Sequence, residues 1–240
     1  MKKIALFLFF IFLLSSGFIL FKKYDKDNRF ITYKVDLNEK EVKFYWKDYN
    51  GTNFSSIENL KNWLDQKNQK LAFATNGGMY NKDLSPQGLY IENFEIKNQL
   101  DIANGKGNFY LKPNGVFYIT KENKGIICTT EHFKTTKNIK FATQSGPMLV
   151  IDNVIHSVFN EGSKNLNIRN GVGILENGNL VFVMSKNEIN FYDFAFYFKK
   201  LGCKNALYLD GYVSRTYLPE ENWKQTDGNF GVIIGVTNNK

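Results

Sequence analysis

The chain has 240 residues, of which 43% are hydrophobic and 16% aromatic, a composition typical of a globular protein with a sizeable core. Its formal net charge is +8, and removing the four lysines within residues 1–23 leaves +4 for the remainder. This mild and dispersed basic charge argues against nucleic-acid binding, because no stripe of Lys and Arg alternates with aromatic residues. It is compatible with anionic substrates or surfaces.

An uninterrupted apolar segment occupies residues 4–21, with a pair of lysines on each side. Its eighteen residues would span about 27 Å as a helix, close to the hydrocarbon thickness of a bilayer. Two interpretations of residues 1–23 stay open, a cleaved signal peptide and a retained signal-anchor. Both predict an extracytoplasmic protein, which is periplasmic, secreted or anchored to the membrane through residues 4–21 if that segment is not cleaved.

Residues 24–29 are polar and are predicted to form a short tether, and residues 30–240 are predicted to form one domain. Strands are predicted over residues 30–37 and 42–46, where the sequence alternates or is rich in β-formers. The S-x-x-E spacing that begins at Ser55 predicts a helix over about 56–69. A buried strand is predicted next, over residues 70–75.

Asn-Gly pairs between β-rich runs predict two hairpins, over residues 107–120 and 171–185. Residues 141–151 are predicted to form a pair of strands, or one strand with a break at Gly146-Pro147. A second helix is predicted over 190–201, where apolar residues recur on one face. The last predicted strands cover residues 205–210 and 231–237. The elements together predict an α+β fold with a mixed, largely antiparallel sheet core and two main helices, about 56–69 and 190–201.

The cysteines and histidines do not form a recognisable metal site. Cys128 and Cys203 could pair in an exported protein, but two buried thiols are the favoured interpretation. His132 and His156 lack H-x-x-x-H spacing and the chain has no C-x-x-C, so no metal site is predicted. No cofactor is required, although a divalent cation held by Asp210 and backbone carbonyls stays open.

Polar residues and glycines cluster at the ends of four predicted strands. Glycine at such positions lets backbone N–H groups approach a ligand closely, and an arginine offers a planar fork for phosphate or carboxylate. Taken singly, each cluster is also explained as a turn, a strand break or a surface ion pair. The four places are Asn76-Gly77-Gly78, Gln144-Ser145-Gly146, Arg169-Asn170-Gly171 and Asp210-Gly211 with Ser214 following.

In this order the clusters resemble the phosphodiester glycosidase family. The resemblance covers most of residues 70–237. Tyr212 stands where the family pattern Asp-Gly-Gly-x-Ser has its second glycine. In this respect the sequence is closer to a bacterial, uncharacterised branch of the family. The motifs that carry the resemblance are NGGMY at 76–80, SGPMLV at 145–150, RNGVGI at 169–174 and NALYLDG at 205–211.

The resemblance implies an enzyme that cleaves the sugar–phosphate bond of a sugar-1-phosphodiester. Asp210 would activate water or stabilise the oxocarbenium-like centre, and Arg169 would neutralise the phosphate. Glu188 and Asp193 are candidates for a second carboxylate. The predicted catalytic residues are Asp210, Arg169, Asn76 and Ser145. The predicted substrate-binding residues are Gly77, Gly78, Gly146, Gly211 and Ser214.

The sequence therefore predicts an exported hydrolase that acts on a carbohydrate phosphodiester, in a cell-envelope glycan or glycoconjugate. Two alternatives stay open. One is a non-catalytic module that binds envelope glycans, in which some of the 13 Tyr and 3 Trp would be stacking platforms. The other is a related hydrolase that acts on a different linkage, which the tyrosine at position 212 leaves open.

Overall fold

The computed structural model describes residues 27–210 and 213–238. Within these two ranges the chain forms sixteen strands, two α-helices and three short 3₁₀ helices. The strands are β1 (Phe30–Val35), β2 (Val42–Tyr45), β3 (Lys70–Asn76), β4 (Tyr90–Glu92), β5 (Glu95–Asn98), β6 (Gly115–Thr120), β7 (Gly125–Thr129), β8 (Ile139–Ser145), β9 (Met148–Ile151), β10 (Val154–Ile155), β11 (Asn170–Leu175), β12 (Leu180–Ser185), β13 (Cys203–Asp210), β14 (Thr216–Leu218), β15 (Trp223–Lys224) and β16 (Ile233–Asn238). The helices are α1 (Ile57–Asp65) and α2 (Phe191–Lys200), and the 3₁₀ helices are Asn108–Tyr110, Thr130–His132 and Pro219–Glu221.

The strands of the described ranges form three sheets, and every pairing within them is antiparallel. The first sheet has the order β1-β12-β11-β13-β9-β10, the second β15-β14-β3-β16-β2, and the third β5-β4-β8-β6-β7. Two helices on largely antiparallel sheets confirm the predicted α+β fold.

One hydrophobic core lies where the inner faces of the three sheets meet. Tyr33 of the first sheet stacks on Phe73 of the second, with ring centroids 4.5 Å apart. Phe44 of the second sheet stacks on Phe141 of the third at 5.4 Å. Because all three sheets share this core, strand ends that are remote in sequence come together at its margin.

Helix α1 confirms the predicted helix but has different ends. Its N-cap is Ser56, whose side chain accepts a hydrogen bond from the Asn59 N–H at 3.2 Å, whereas Ser55 lies at a φ of +59°. The helix ends at Asp65, four residues before the predicted end, and Asn68 then adopts a φ of +58°. It packs on the second sheet through Ile57, Leu60 and Leu64.

Helix α2 confirms the predicted helix over 190–201. Asn190 caps it by accepting a hydrogen bond from the Asp193 N–H at 2.8 Å, and Gly202 ends it at a φ of +85°. The helix lies on the outer face of the first sheet. A Cβ atom at Gly173 of β11 would lie 2.8 Å from Cδ1 of Phe198, so the glycine permits this close packing.

The two predicted hairpins have different outcomes. Strands β11 and β12 form the hairpin predicted over 171–185, with Gly178 at a φ of +86°. The hairpin over 107–120 is wrong, because residues 108–110 form a 3₁₀ turn and the Asn114 amide donates to the carbonyl oxygen of Phe109. Strand β6 pairs instead with β7 and β8. Residues 141–151 divide into β8 and β9, which belong to different sheets.

The predicted membrane or signal segment at residues 4–21 lies outside the described residues and stays a prediction. Within residues 27–210 and 213–238, none of the helices has the length and apolar character needed to cross a bilayer. The division into a tether at 24–29 and one domain over 30–240 likewise stays a prediction.

Cys128 and Cys203 are both free thiols. Cys203 is buried and Cys128 is half-buried, and burial raises the pKa of Cys203 to about 12 and that of Cys128 to about 11. Two unpaired thiols agree with the favoured interpretation of these residues as small packing side chains.

Candidate active site

A buried polar cluster joins the end of β3 to the end of β13. The Asn76 side-chain amide donates a hydrogen bond to Oδ2 of Asp210 at 3.0 Å, and these residues are 134 positions apart. Asn170, at the start of β11, bridges the same two residues. Its amide nitrogen donates to the carbonyl oxygen of Asn76 at 2.8 Å, and its Oδ1 accepts from the backbone N–H of Asp210 at 3.0 Å. Three predicted motifs therefore meet at one point.

Arg215, which directly precedes β14, completes the surroundings of Asn76. Oδ1 of Asn76 accepts from the backbone N–H of Arg215 at 2.9 Å and from the Asn170 amide at 3.1 Å. The Thr75 hydroxyl donates to the carbonyl oxygen of Arg215 at 2.9 Å. Asn76 is fully buried and Asp210 is 4% exposed, so the carboxylate is held in one orientation by hydrogen-bonded neighbours.

A β-bulge at the end of β13 directs Asp210 into this cluster. Asp210 pairs with Asn170, but Tyr208 pairs with the residue after Asn170, so Leu209 is an extra residue. In a regular strand Asp210 would share the face of Tyr208, which packs under helix α2. The extra residue moves the carboxylate to the other side of the sheet, where Asn76 binds it.

Ser145 and Ser214 lie next to the cluster and brace its backbone. The Ser145 hydroxyl donates to the carbonyl oxygen of Leu209 at 2.8 Å and joins the third sheet to the first. The Ser214 hydroxyl lies 3.0 Å from the carbonyl oxygen of Asp210 and 3.1 Å from that of Ile168. Both hydroxyls thus hold the chain beside Asp210 in place.

The predicted glycines allow close packing around the cluster. The Gly77 N–H donates to the carbonyl oxygen of Val232 at 2.8 Å, so backbone pairing uses this donor. A Cβ atom at Gly78, which has a φ of +149°, would collide with the Thr143 hydroxyl. A Cβ atom at Gly146 would lie 2.8 Å from the carbonyl oxygen of Phe109. The position of Gly211 is outside the described residues.

Arg169 is fully buried on the other side of the first sheet. Its Nε donates to the carbonyl oxygen of Ile189 at 2.8 Å, and Nη2 donates to that of Asn165 at 2.9 Å. Nη1 donates to the Tyr208 hydroxyl at 3.2 Å. The guanidinium carbon lies 3.6 Å from the centre of the Phe191 ring. The side chain is therefore part of the packing beneath α2.

The alternation of side chains along a strand explains why Arg169 and Asn170 lie on opposite faces of the first sheet. Successive side chains of a strand point to opposite faces, so Asn170 reaches Asp210 while Arg169 faces the helix. Burial lowers the pKa of Arg169 below its ordinary value. The structure does not bring Arg169 to the cluster, and its contacts favour a structural role over the predicted contact with phosphate.

The two candidates for a second carboxylate lie in another place. Glu188 and Asp193 line a cavity of about 210 Å³ with Arg29 and Asn190. Oδ2 of Asp193 accepts from the Asn190 amide at 2.9 Å, which is a contact of the helix cap. Asp193 therefore matches the helix N-terminal acid that the helix dipole favours.

Sequence reasoning did not select Asn170 or Arg215. Val172 and Ile174 of β11 pack in the central core, so a period of two places Asn170 on the same face. That pattern was sufficient to choose Asn170 in place of Arg169. Arg215 had only its closeness to Asp210 in the sequence as a signal.

We expect Asn170→Ala to lower the free energy of unfolding by about 2 kcal/mol, because buried partners of its amide on β3 and β13 lose their hydrogen bonds. Urea denaturation measures this change. The control is Asn187→Ala at an exposed position between β12 and α2, for which a change below about 0.5 kcal/mol is expected. Equal changes in the two variants would contradict a bridging role for Asn170.

Among residues 27–210 and 213–238, no group of three or more His, Cys, Asp or Glu side chains has the arrangement of a metal site. The predictions about cofactors are not tested by this observation.

The amino-acid sequence matches a known family and a bacterial relative. Residues 69–237 match the family model of the phosphodiester glycosidases. An uncharacterized Escherichia coli protein, YigE, is 43% identical over 187 residues, which cover 78% of this chain and 73% of that protein.

Two solved structures resemble the fold. One is the catalytic domain of zebrafish N-acetylglucosamine-1-phosphodiester alpha-N-acetylglucosaminidase, auto-inhibited by its pro-peptide, with a TM-score of 0.58, 14% identity and coverage of 89% of this chain and 85% of that one. The other is a candidate exported protein of Burkholderia pseudomallei, with a TM-score of 0.55, 9% identity and coverage of 86% and 73%. At these identities the likeness concerns the fold.

Proposed function

The chain belongs to the phosphodiester glycosidase family, and from this premise we propose that it hydrolyses the sugar–phosphate bond of a sugar-1-phosphodiester. Membership makes the protein a hydrolase of the glycosidase type, and the bond and the residues that act on it are the proposal. The observation that carries the proposal is the buried hydrogen bond between Asn76 and Asp210, which unites two of the family-like motifs in one cluster.

The proposed reaction breaks the bond between the anomeric carbon and a phosphate oxygen. The phosphate monoester departs with the electron pair of that bond, and water supplies the oxygen that binds the anomeric carbon. A phosphate monoester has a second pKa of about 6, so it departs as an anion and does not need a strong general acid. The site has to position a water molecule and balance the growing negative charge on phosphate.

Asp210 is the proposed base, which accepts a proton as water attacks, or which stabilises positive charge at the anomeric carbon. Asn76 and Asn170 hold the carboxylate and its backbone from two other strands. A group positioned in this way loses little freedom when the transition state forms. Ser145 and Ser214 support the same strand ends through backbone carbonyls.

Arg215 is the proposed partner of the phosphate. Its backbone is bonded to Asn76, and its side chain is 30% exposed, so it lies beside the cluster and reaches solvent. The guanidinium Nε donates to Asp227 at 2.8 Å and Nη1 donates to the carbonyl oxygen of Ser214 at 3.0 Å. These two bonds orient the guanidinium, and arginine is a side chain that binds phosphate well.

We expect Arg215→Gln to lower kcat/KM for a sugar-1-phosphodiester about tenfold, because one charge-assisted contact with phosphate is lost. Steady-state kinetics measures the loss. Arg29→Gln is the matched control, since Arg29 forms a similar surface pair with Asp27 at 2.8 Å. Unchanged kcat/KM in Arg215→Gln, or an equal loss in both variants, would remove the proposed role.

We also propose that the enzyme acts outside the cytoplasm, on glycans or glycoconjugates of the cell envelope. The apolar segment at residues 4–21 supports export, and one structural relative is described as a candidate exported protein. The proposed catalytic domain covers residues 30–240, and the proposed reaction requires no cofactor.

The decisive test is hydrolysis by the purified full-length chain in ¹⁸O-labelled water. The substrates are alkyl phosphodiesters of several sugar 1-phosphates, including N-acetylglucosamine 1-phosphate. We expect an alkyl phosphate and a reducing sugar that carries the label. A label in the phosphate, with release of a sugar 1-phosphate, would show cleavage of the other ester bond and refute the proposal.

A further inference from the structure

A groove of about 580 Å³ lies between the edges of two sheets. Strand β2 is an edge of the second sheet, and β5 is an edge of the third. Tyr49, Trp63 and Lys67 line one wall, whereas Glu92 and Asn93 line the wall formed by the hairpin of β4 and β5. The volume falls in the range of pockets that bind small ligands, and none of these residues belongs to the cluster around the proposed catalytic carboxylate.

The first wall presents an exposed tyrosine beside a half-buried tryptophan. Tyr49 is 83% exposed, and its ring centroid lies 5.2 Å from that of Trp63. The Lys67 amine lies 4.4 Å from the Trp63 ring and 4.9 Å from the Tyr49 ring. A large aromatic side chain at the surface exposes apolar area that a ligand can cover. The apolar face of a sugar ring is suited to such a platform.

Two lysines of the groove are available for an anion. Lys43 and Lys97 each pair with a glutamate. Lys47 and Lys67 instead contact aromatic rings, and among the described residues no carboxylate is within salt-bridge distance of either. A ligand that combines sugar rings with negative charges would match both the platform and these amines.

The groove begins at the same end of the second sheet as the proposed catalytic cluster. Tyr45 and Asn76 pair with Ile233 from opposite sides, and β2 and β3 run in the same direction. Their Cα atoms are therefore about 10 Å apart, which is two strand spacings. The end of the groove at Tyr45 is therefore close to the strand that carries Asn76.

We propose that the groove binds a linear, anionic saccharide, with sugar rings on Tyr49 and Trp63 and negative groups at Lys47 and Lys67. Binding is independent of catalysis. That the bound glycan is also the substrate rests on the proposed function.

Isothermal titration of the full-length chain with two hexasaccharides tests the proposal. Hyaluronan is the anionic probe and chitin the neutral one. We expect saturable binding of hyaluronan and weaker binding of chitin. Tyr49→Ala and Lys67→Gln should each lower the affinity for hyaluronan about tenfold. Because both side chains are exposed, these variants should fold like the wild type.

Phe196→Ala is the matched control. Phe196 is 50% exposed and stacks on Tyr192 along helix α2, away from the groove. Its affinity for hyaluronan should be unchanged. No saturable binding of hyaluronan, or equal affinity in Tyr49→Ala and the wild type, would overturn the proposal. Chitin binding as tight as hyaluronan binding would overturn its anionic part. If the protein binds hyaluronan but does not hydrolyse sugar-1-phosphodiesters, the proposed function is refuted and the proposal about the groove stands.

Discussion

We expect Asp210→Asn to lower kcat for hydrolysis of a sugar-1-phosphodiester by about a thousandfold or more. A general base contributes about 10² to 10⁴ in rate, and a loss of charge stabilisation at the anomeric carbon adds to this. An amide has nearly the same shape as a carboxylate, and its oxygen can still accept the hydrogen bond from Asn76. The variant should therefore fold normally and lose the charge and the basic oxygen only.

Release of reducing sugar by the purified chain measures this loss of kcat. The temperature of thermal unfolding shows whether the variant is folded like the wild type. Asp152→Asn is the matched control, because Asp152 lies in the β9–β10 turn with its side chain 72% exposed. Its kcat should equal that of the wild type. If Asp210→Asn kept wild-type activity, Asp210 would have no direct part in the reaction. If Asp210→Asn lost activity and also unfolded at a lower temperature than the wild type, the loss of activity would be explained by damage to the fold.

Arg169→Met should lower the free energy of unfolding by about 3 kcal/mol or more. The guanidinium satisfies the carbonyl oxygens of Ile189 and Asn165 and binds the Tyr208 hydroxyl, all beneath helix α2. Methionine fills part of the volume but donates no hydrogen bond, so buried acceptors are left without partners. Urea denaturation of the full-length chain checks the expected loss.

Arg29→Met is the control for this substitution. The Arg29 side chain is 62% exposed and pairs with Asp27 at the surface, so its removal should cost less than about 1 kcal/mol. A contrary outcome would be wild-type stability of Arg169→Met together with a large rise in KM for the phosphodiester. That result would restore the contact of Arg169 with phosphate that the sequence predicts, and it would contradict a purely structural role.

The helices were predicted well because their signals are local. The apolar period of α2, its cap at Asn190 and the glycine at position 202 all act within about a dozen residues. The hairpin of β11 and β12 has a similarly local signal in Asn177 and Gly178. The hairpin over 107–120 is wrong because residues 108–110 form a 3₁₀ turn, and the Asn114 side chain donates to the carbonyl oxygen of Phe109 within it.

The candidate site was predicted in part. Residue types at the strand ends indicate Asn76 and Asp210, and the structure brings these two side chains into contact. Residue type favours Arg169 because an arginine suits phosphate, whereas the period of two along the strand favours Asn170. No sequence pattern indicates Arg215, because its link to Asn76 depends on the path of the chain after Asp210.

By itself, the sequence determined the fold class, the two helices, the family and the places where polar residues end buried strands. These properties follow from residue types and from periods of two and 3.6 residues. Only the tertiary structure decided which polar residues meet. That choice depends on the packing of three sheets around one core and on the bulge at Leu209, which turns Asp210 toward Asn76. Contacts across 134 positions have no local period, so no pattern in the sequence specifies them.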